Sequence, residues 1–81
     1  MASSKSSLYY TLRRESWRRT ENAGAWEYLR IYTGRGEFDY SEYHRDNRNG
    51  RCYKEDDAGR LVRIGAEEYA RQRERCAAVA L

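Results

Sequence analysis

An α+β fold, with a four- to five-stranded antiparallel meander sheet and one C-terminal helix packed on one face, follows from three features of the sequence. Short runs of aromatic and β-branched residues alternate with Gly, Asn and Asp turn signals. No proline interrupts them. The last segment instead is rich in Ala, Glu, Arg and Gln, which are strong helix formers.

The elements follow in order. Met1–Ser7 is small and polar and is expected to be a flexible N-terminus, with one domain over residues 8–81. Leu8–Leu12 is expected as a strand with Leu8, Tyr10 and Leu12 on one face. The longer stretch Leu8–Arg19 also fits a short helix carrying a Glu15–Arg19 pair, and the strand is preferred. Ala25–Thr33 is the strongest strand, with Leu29 and Ile31 on one face and Trp26, Tyr28, Arg30 and Tyr32 on the other. Contact surface on both faces makes it central.

Thr33-Gly34-Arg35-Gly36-Glu37 is expected as a hairpin connection whose glycines take positive φ. Glu37–His44 follows as a strand, with Phe38 and Tyr40 on one face and Tyr43 on the other. Asn49-Gly50 predicts a type I′ turn into Arg51–Lys54, and Asp56–Gly59 a bulged hairpin loop into Arg60–Ile64. Gly65 ends that strand. Ala66 to about Ala80 is expected as a helix, with Glu67 and Glu68 at its start and an apolar stripe of Tyr69, Cys76, Ala77 and Ala80.

Composition bounds the function. Eleven aromatic residues outnumber nine Ile, Leu and Val, and fourteen arginines stand against two lysines. Tyr, Trp and Arg concentrate at binding hot spots because each offers a large, stiff contact area with a polar end. Eight tyrosines cannot all be central in 81 residues, so several are expected at the surface. No apolar run is long enough for a membrane span or a signal peptide. Cys52 and Cys76 lack zinc-site spacing and are expected as reduced thiols of a cytoplasmic protein, with no metal and no cofactor.

Charge is unevenly distributed. Residues 1–36 carry +4, residues 37–59 carry −3 and residues 60–81 carry +2. An acidic middle is unusual for a dedicated nucleic-acid binder, whose affinity scales with the phosphates it neutralises. It fits a mixed-sign protein interface. Arg13, Arg14, Arg18 and Arg19 surround Trp17, a group able to grip carboxylates or phosphates. Gly34-Arg35-Gly36 lacks the third glycine and following helix of a phosphate-binding loop.

The helix can cover one sheet face only. If Leu29 and Ile31 face it, the opposite aromatic–Arg face is the candidate site. Trp17, Arg18, Arg19, Tyr28, Arg30 and Tyr32 are therefore the expected partner-binding residues. The expected role is a small non-enzymatic protein acting stoichiometrically on a protein or nucleoprotein complex. Its favoured form is a phage-type, anti-CRISPR-like inhibitor of a bacterial nucleic-acid-handling defence complex. Direct nucleic-acid binding through the Arg/Trp/Tyr surface is the first alternative. A small ribonuclease using His44, near Asp39, Glu42 and Asp46, is the second. Homodimerisation through the Leu8–Leu12 edge is a further expectation.

Overall fold

The computed structural model describes residues 15–78. Five antiparallel strands form a meander: β1 Trp17–Glu21, β2 Trp26–Tyr32, β3 Tyr40–Asp46, β4 Arg51–Glu55 and β5 Leu61–Ile64. Helix α1, Ala66–Glu74, packs on one face over β2 and β4. A two-residue strand, β6 (Ala77–Ala78), then pairs parallel to β1, giving the order β5-β4-β3-β2-β1-β6. The expectations for Met1–Ser7 and for the Leu8–Leu12 strand and edge lie outside the described residues. Within the stretch read as strand or short helix, Trp17–Glu21 is strand.

The apolar phase of β2 places the core. Leu29 and Ile31 are fully buried on the helix side, together with Tyr43, Cys52 and Tyr69, and with Ile64 and Cys76 against them. Glu27 lies in the same phase two residues before Leu29 and is also buried. Its carboxylate accepts a hydrogen bond from the Tyr69 hydroxyl at 3.0 Å and bonds from Arg73 Nε at 3.0 and 3.2 Å. A buried carboxylate is tolerable only with such donors, and both come from α1. Tyr69 is the one buried residue of the helix. The polar lock and the packing anchor are thus the same side chain.

Four local expectations are corrected. The helix ends at Glu74 rather than near Ala80, as the Arg75 and Cys76 amides fold back onto the Gln72 and Arg73 carbonyls. The chain then extends along β1, where pairing satisfies backbone groups that a continuing helix would leave open at that edge. Of the expected stripe, Tyr69 anchors the helix, Cys76 reaches the core from beyond it, and Ala77 belongs to β6.

Strand β3 starts at Tyr40 rather than Glu37, and Phe38 stands in the preceding loop at 81% exposure. In that loop Gly34 and Gly36 do not take positive φ. They are needed because a Cβ there would come within 2.8 and 2.6 Å of the Asp39 carboxylate, which accepts the Gly36 N–H. The β3–β4 connection is not a type I′ turn: Gly50 alone has positive φ, and its N–H reaches back to the Asp46 carbonyl at 2.7 Å. Arg48 clamps the Asp46 carboxylate through its Nε and Nη2, which together with its backbone N–H holds that acid below its ordinary range. The Asp56 loop forms as expected, its carboxylate accepting the Ala58 and Arg60 amides.

Two predictions follow from this packing. Tyr69→Ala is expected to cost about 3–5 kcal/mol in chemical denaturation, the scale for truncating a buried aromatic. Burial and the Glu27 charge push the Tyr69 hydroxyl above its ordinary value of 10.0. The folded chain thus keeps a proton that the unfolded chain releases. Its contribution is complete below pH ~10 and declines as the pH rises further. Tyr69→Phe, with no proton to lose, should flatten that alkaline limb.

The β1–β2 turn yields a third. Asn22, Ala23 and Gly24 all have positive φ, and Ala23 at 54° is the residue least suited to it. Relief of ~1–2 kcal/mol of left-handed strain, set against ~0.4–1 kcal/mol of added unfolded-state freedom, makes Ala23→Gly stabilising. A gain of about 0.5–1 kcal/mol is expected from denaturant midpoints.

Candidate interaction surface

The face turned away from α1 is built by the opposite phase of the same strands. Antiparallel register sets Trp17 opposite Arg30 and Arg19 opposite Tyr28, so aromatic and guanidinium groups alternate like squares of a checkerboard. The two rings stack along one diagonal, with centroids 5.4 Å apart and planes 28° apart. Arg19 lies 5.1 Å from both ring centroids. Arg30 lies 5.1 Å from Trp17, 5.9 Å from Tyr28 and 4.1 Å from Tyr40. Tyr40 in turn meets Tyr32 edge-on at 5.5 Å.

Polar contacts hold this array. Arg30 Nη2 donates to the Tyr28 hydroxyl at 3.1 Å and approaches Glu42 at 3.9 Å. Arg19 pairs with Glu21 at 2.9 Å. The buried Nε–H groups of Arg19 and Arg30 have no hydrogen-bond acceptor. Their guanidiniums lie against aromatic faces, which are weak acceptors. Further along the face, Trp26 meets Tyr53 at 6.3 Å and Arg48 lies 5.8 Å from the Trp26 ring.

The structure brings Trp17, Arg19, Tyr28, Arg30 and Tyr32 onto one face and separates Arg18 from them. Arg18 lies opposite Leu29, on the helix side, where its charge acts on the Cys76 thiol. That thiol is pushed up mainly by burial. Tyr28 is only 6% exposed, so it supports the array from beneath rather than presenting a contact of its own. Tyr32 is half-buried, and its N–H donates to Ser16 Oγ at 3.0 Å.

His44 shares this face with Glu42, as strand alternation requires. Its Nε2 lies 3.1 Å from Glu55 Oε2, and its ring meets Tyr28 edge-on at 5.1 Å. Glu55 lies far away in sequence, so the reading around Asp39, Glu42 and Asp46 missed it. Asp46 is committed to Arg48, and Asp39 to the Gly34–Gly36 loop. Burial first, and the Glu55 charge second, raise the Glu42 carboxyl. Among the described residues no group of three or more His, Cys, Asp or Glu side chains could hold a metal. None of their helices is long and apolar enough to cross a membrane.

No protein-family model matches the chain, and no curated protein or solved structure does. The surface therefore rests on its own geometry. Glu27, Tyr69 and Arg73 were missed as a unit by the sequence reading. The available signal was a carboxylate in phase with Leu29 and Ile31.

Arg30 touches three rings, so its removal should be felt locally. Arg30→Ala is expected to cost about 1–2 kcal/mol, the upper range for a partly desolvated cation–π contact. A red shift of tryptophan emission should accompany it as Trp17 gains water. Arg30→Lys should recover little of this, because an ammonium does not stack flat on a ring.

Proposed function

We propose that the chain is a non-enzymatic binding protein that engages a protein or nucleoprotein partner stoichiometrically through the sheet face turned away from α1. The observation that carries this is the Trp17–Tyr28 stack flanked by Arg19 and Arg30, a pre-ordered array of hot-spot residue types. Side chains already held in one arrangement lose little entropy when a partner binds. The face mixes signs, with Arg19 and Arg30 beside Glu21 and Glu42. That supports orientation of a protein partner by complementary charge.

The same geometry favours protein over single-stranded nucleic acid as the direct contact. A base-stacking platform needs open ring faces. The faces of Trp17 and Tyr28 are occupied by each other and by the two guanidiniums. Inhibition of a bacterial nucleic-acid-handling defence complex is the narrower form of this proposal, in which the mixed-sign, Arg-rich surface meets the acidic or basic patches of such a machine.

The test begins with affinity purification of the tagged chain from its native host and mass spectrometry of what accompanies it. Binding of the recovered partner is then measured for folded Arg30→Ala, Trp17→Ala and Arg18→Ala. Loss of roughly thirtyfold in affinity, ~2 kcal/mol, is expected for the first two. Arg18→Ala, on the opposite face, should change affinity less than about threefold. Normal binding by Arg30→Ala and Trp17→Ala would move the site elsewhere. A steep log-linear loss of affinity with salt, on generic DNA or RNA, would favour nucleic acid instead.

A further inference from the structure

Strand β5 pairs with β4 on one side, and among the described residues no strand pairs with its other side. The Asp56 N–H bonds to the Arg60 carbonyl, so hydrogen-bonded pairs recur at Lys54–Val62 and Cys52–Ile64. The backbone groups of Leu61 and Arg63 consequently point outward. Leu61 is 44% exposed and Val62 50% exposed, an apolar pair on an open edge. Edges of this kind are templates for strand addition.

On the inner side of β5 a cleft of about 450 Å³ lies over the end of β4, walled by Val62 and Ile64 of β5, Lys54 of β4 and Tyr40 of β3, with Asp56 and Asp57 among its acids. Its lining is acidic: Glu42, Glu55, Asp56 and Asp57 stand against one cation, Lys54, with Arg63 on β5 itself pointing elsewhere in the strand alternation. Burial first and the nearby Glu55 charge second displace the Glu42 carboxyl upward. Arg60 is already paired with Asp56 at 3.4 Å.

We propose that the β5 edge is a second docking site, which takes an extended, basic and apolar segment of a partner protein by strand addition. Main-chain bonds form to Leu61 and Arg63. An apolar side chain of the segment packs on the exposed Val62 at the cleft's outer wall, and its neighbouring Lys or Arg meets the acidic loop at Asp57. The site centres on the outer edge of the sheet; its cleft shares Tyr40 and Glu42 with the surroundings of Arg30, but neither Trp17 nor Tyr28 belongs to it.

The experiment titrates the full ¹⁵N-labelled chain with a blocked heptapeptide alternating lysine and valine, and separately with its glutamate–valine counterpart. The lysine peptide should shift the Leu61–Ile64 amides saturably and slow hydrogen exchange at Leu61 and Arg63. The glutamate peptide should bind at least tenfold more weakly. Val62→Lys, which places a charge on the open edge, should weaken the lysine peptide at least tenfold. Asp57→Lys, at an exposed turn position, should weaken it about threefold and serves if Val62→Lys fails to fold. Equal binding of both peptides, or shifts centred on Trp17 and Arg30, would overturn the proposal. So would Leu61 and Arg63 amides already protected in the free chain, or protected only as the chain self-associates.

Discussion

The buried carboxylate of Glu27 is the constraint on which the rest of the structure depends. It sits in the core phase of the central strand and is satisfied by two donors, Tyr69 and Arg73, both from α1. A carboxylate stranded there without them would carry a penalty of several kcal/mol, comparable to the whole stability of a small domain. The helix is therefore fixed in position and register, not merely pressed against an apolar patch. Once α1 covers Leu29, Tyr43 and Cys52, the opposite face has no helix of its own among the described residues.

That asymmetry explains the composition. The covered layer takes Leu29, Ile31, Cys52 and two tyrosines, Tyr43 and Tyr69, and further aromatic residues furnish the other face, where a tyrosine hydroxyl or an indole can reach water or an arginine. The preference for Arg over Lys has a local cause as well. Arg19 and Arg30 lie on ring faces and at the same time reach Glu21 and Glu42. A planar guanidinium does both, whereas a strongly hydrated ammonium does not. The checkerboard is thus a layer linked by its own cation–π contacts, with no helix over it among the described residues.

The meander and the helix were legible in the sequence because local chemistry decides them: alternation in Trp26–Tyr32, the Asp56 loop, the strand break at Gly65. Which β2 side chains share a face was legible for the same reason. The face of Arg18 was not, because nothing local sets the phase of Trp17–Glu21. Only pairing with β2 places Trp17 and Arg19 outward and Arg18 inward. The helix end was missed because Cys76, Ala77 and Ala80 fit a helical stripe, and the competing attraction, the open edge of β1, lies about sixty residues away in the chain. The glycines of the Thr33–Asp39 loop were assigned to dihedral freedom, when their cause is contact with Asp39. Glu27 was overlooked since an acid on a strand is ordinarily a surface residue.

The most direct test of the central claim is a double-mutant cycle on Glu27→Leu and Tyr69→Phe, read by denaturant unfolding. Each single change leaves the other polar group buried with a donor or acceptor lost, while the double change removes both. The double variant should therefore be less destabilised than the sum of the singles, by about 1–3 kcal/mol. Strict additivity, within about 0.3–0.5 kcal/mol, would mean that Tyr69 and Glu27 do not hold the helix to the sheet.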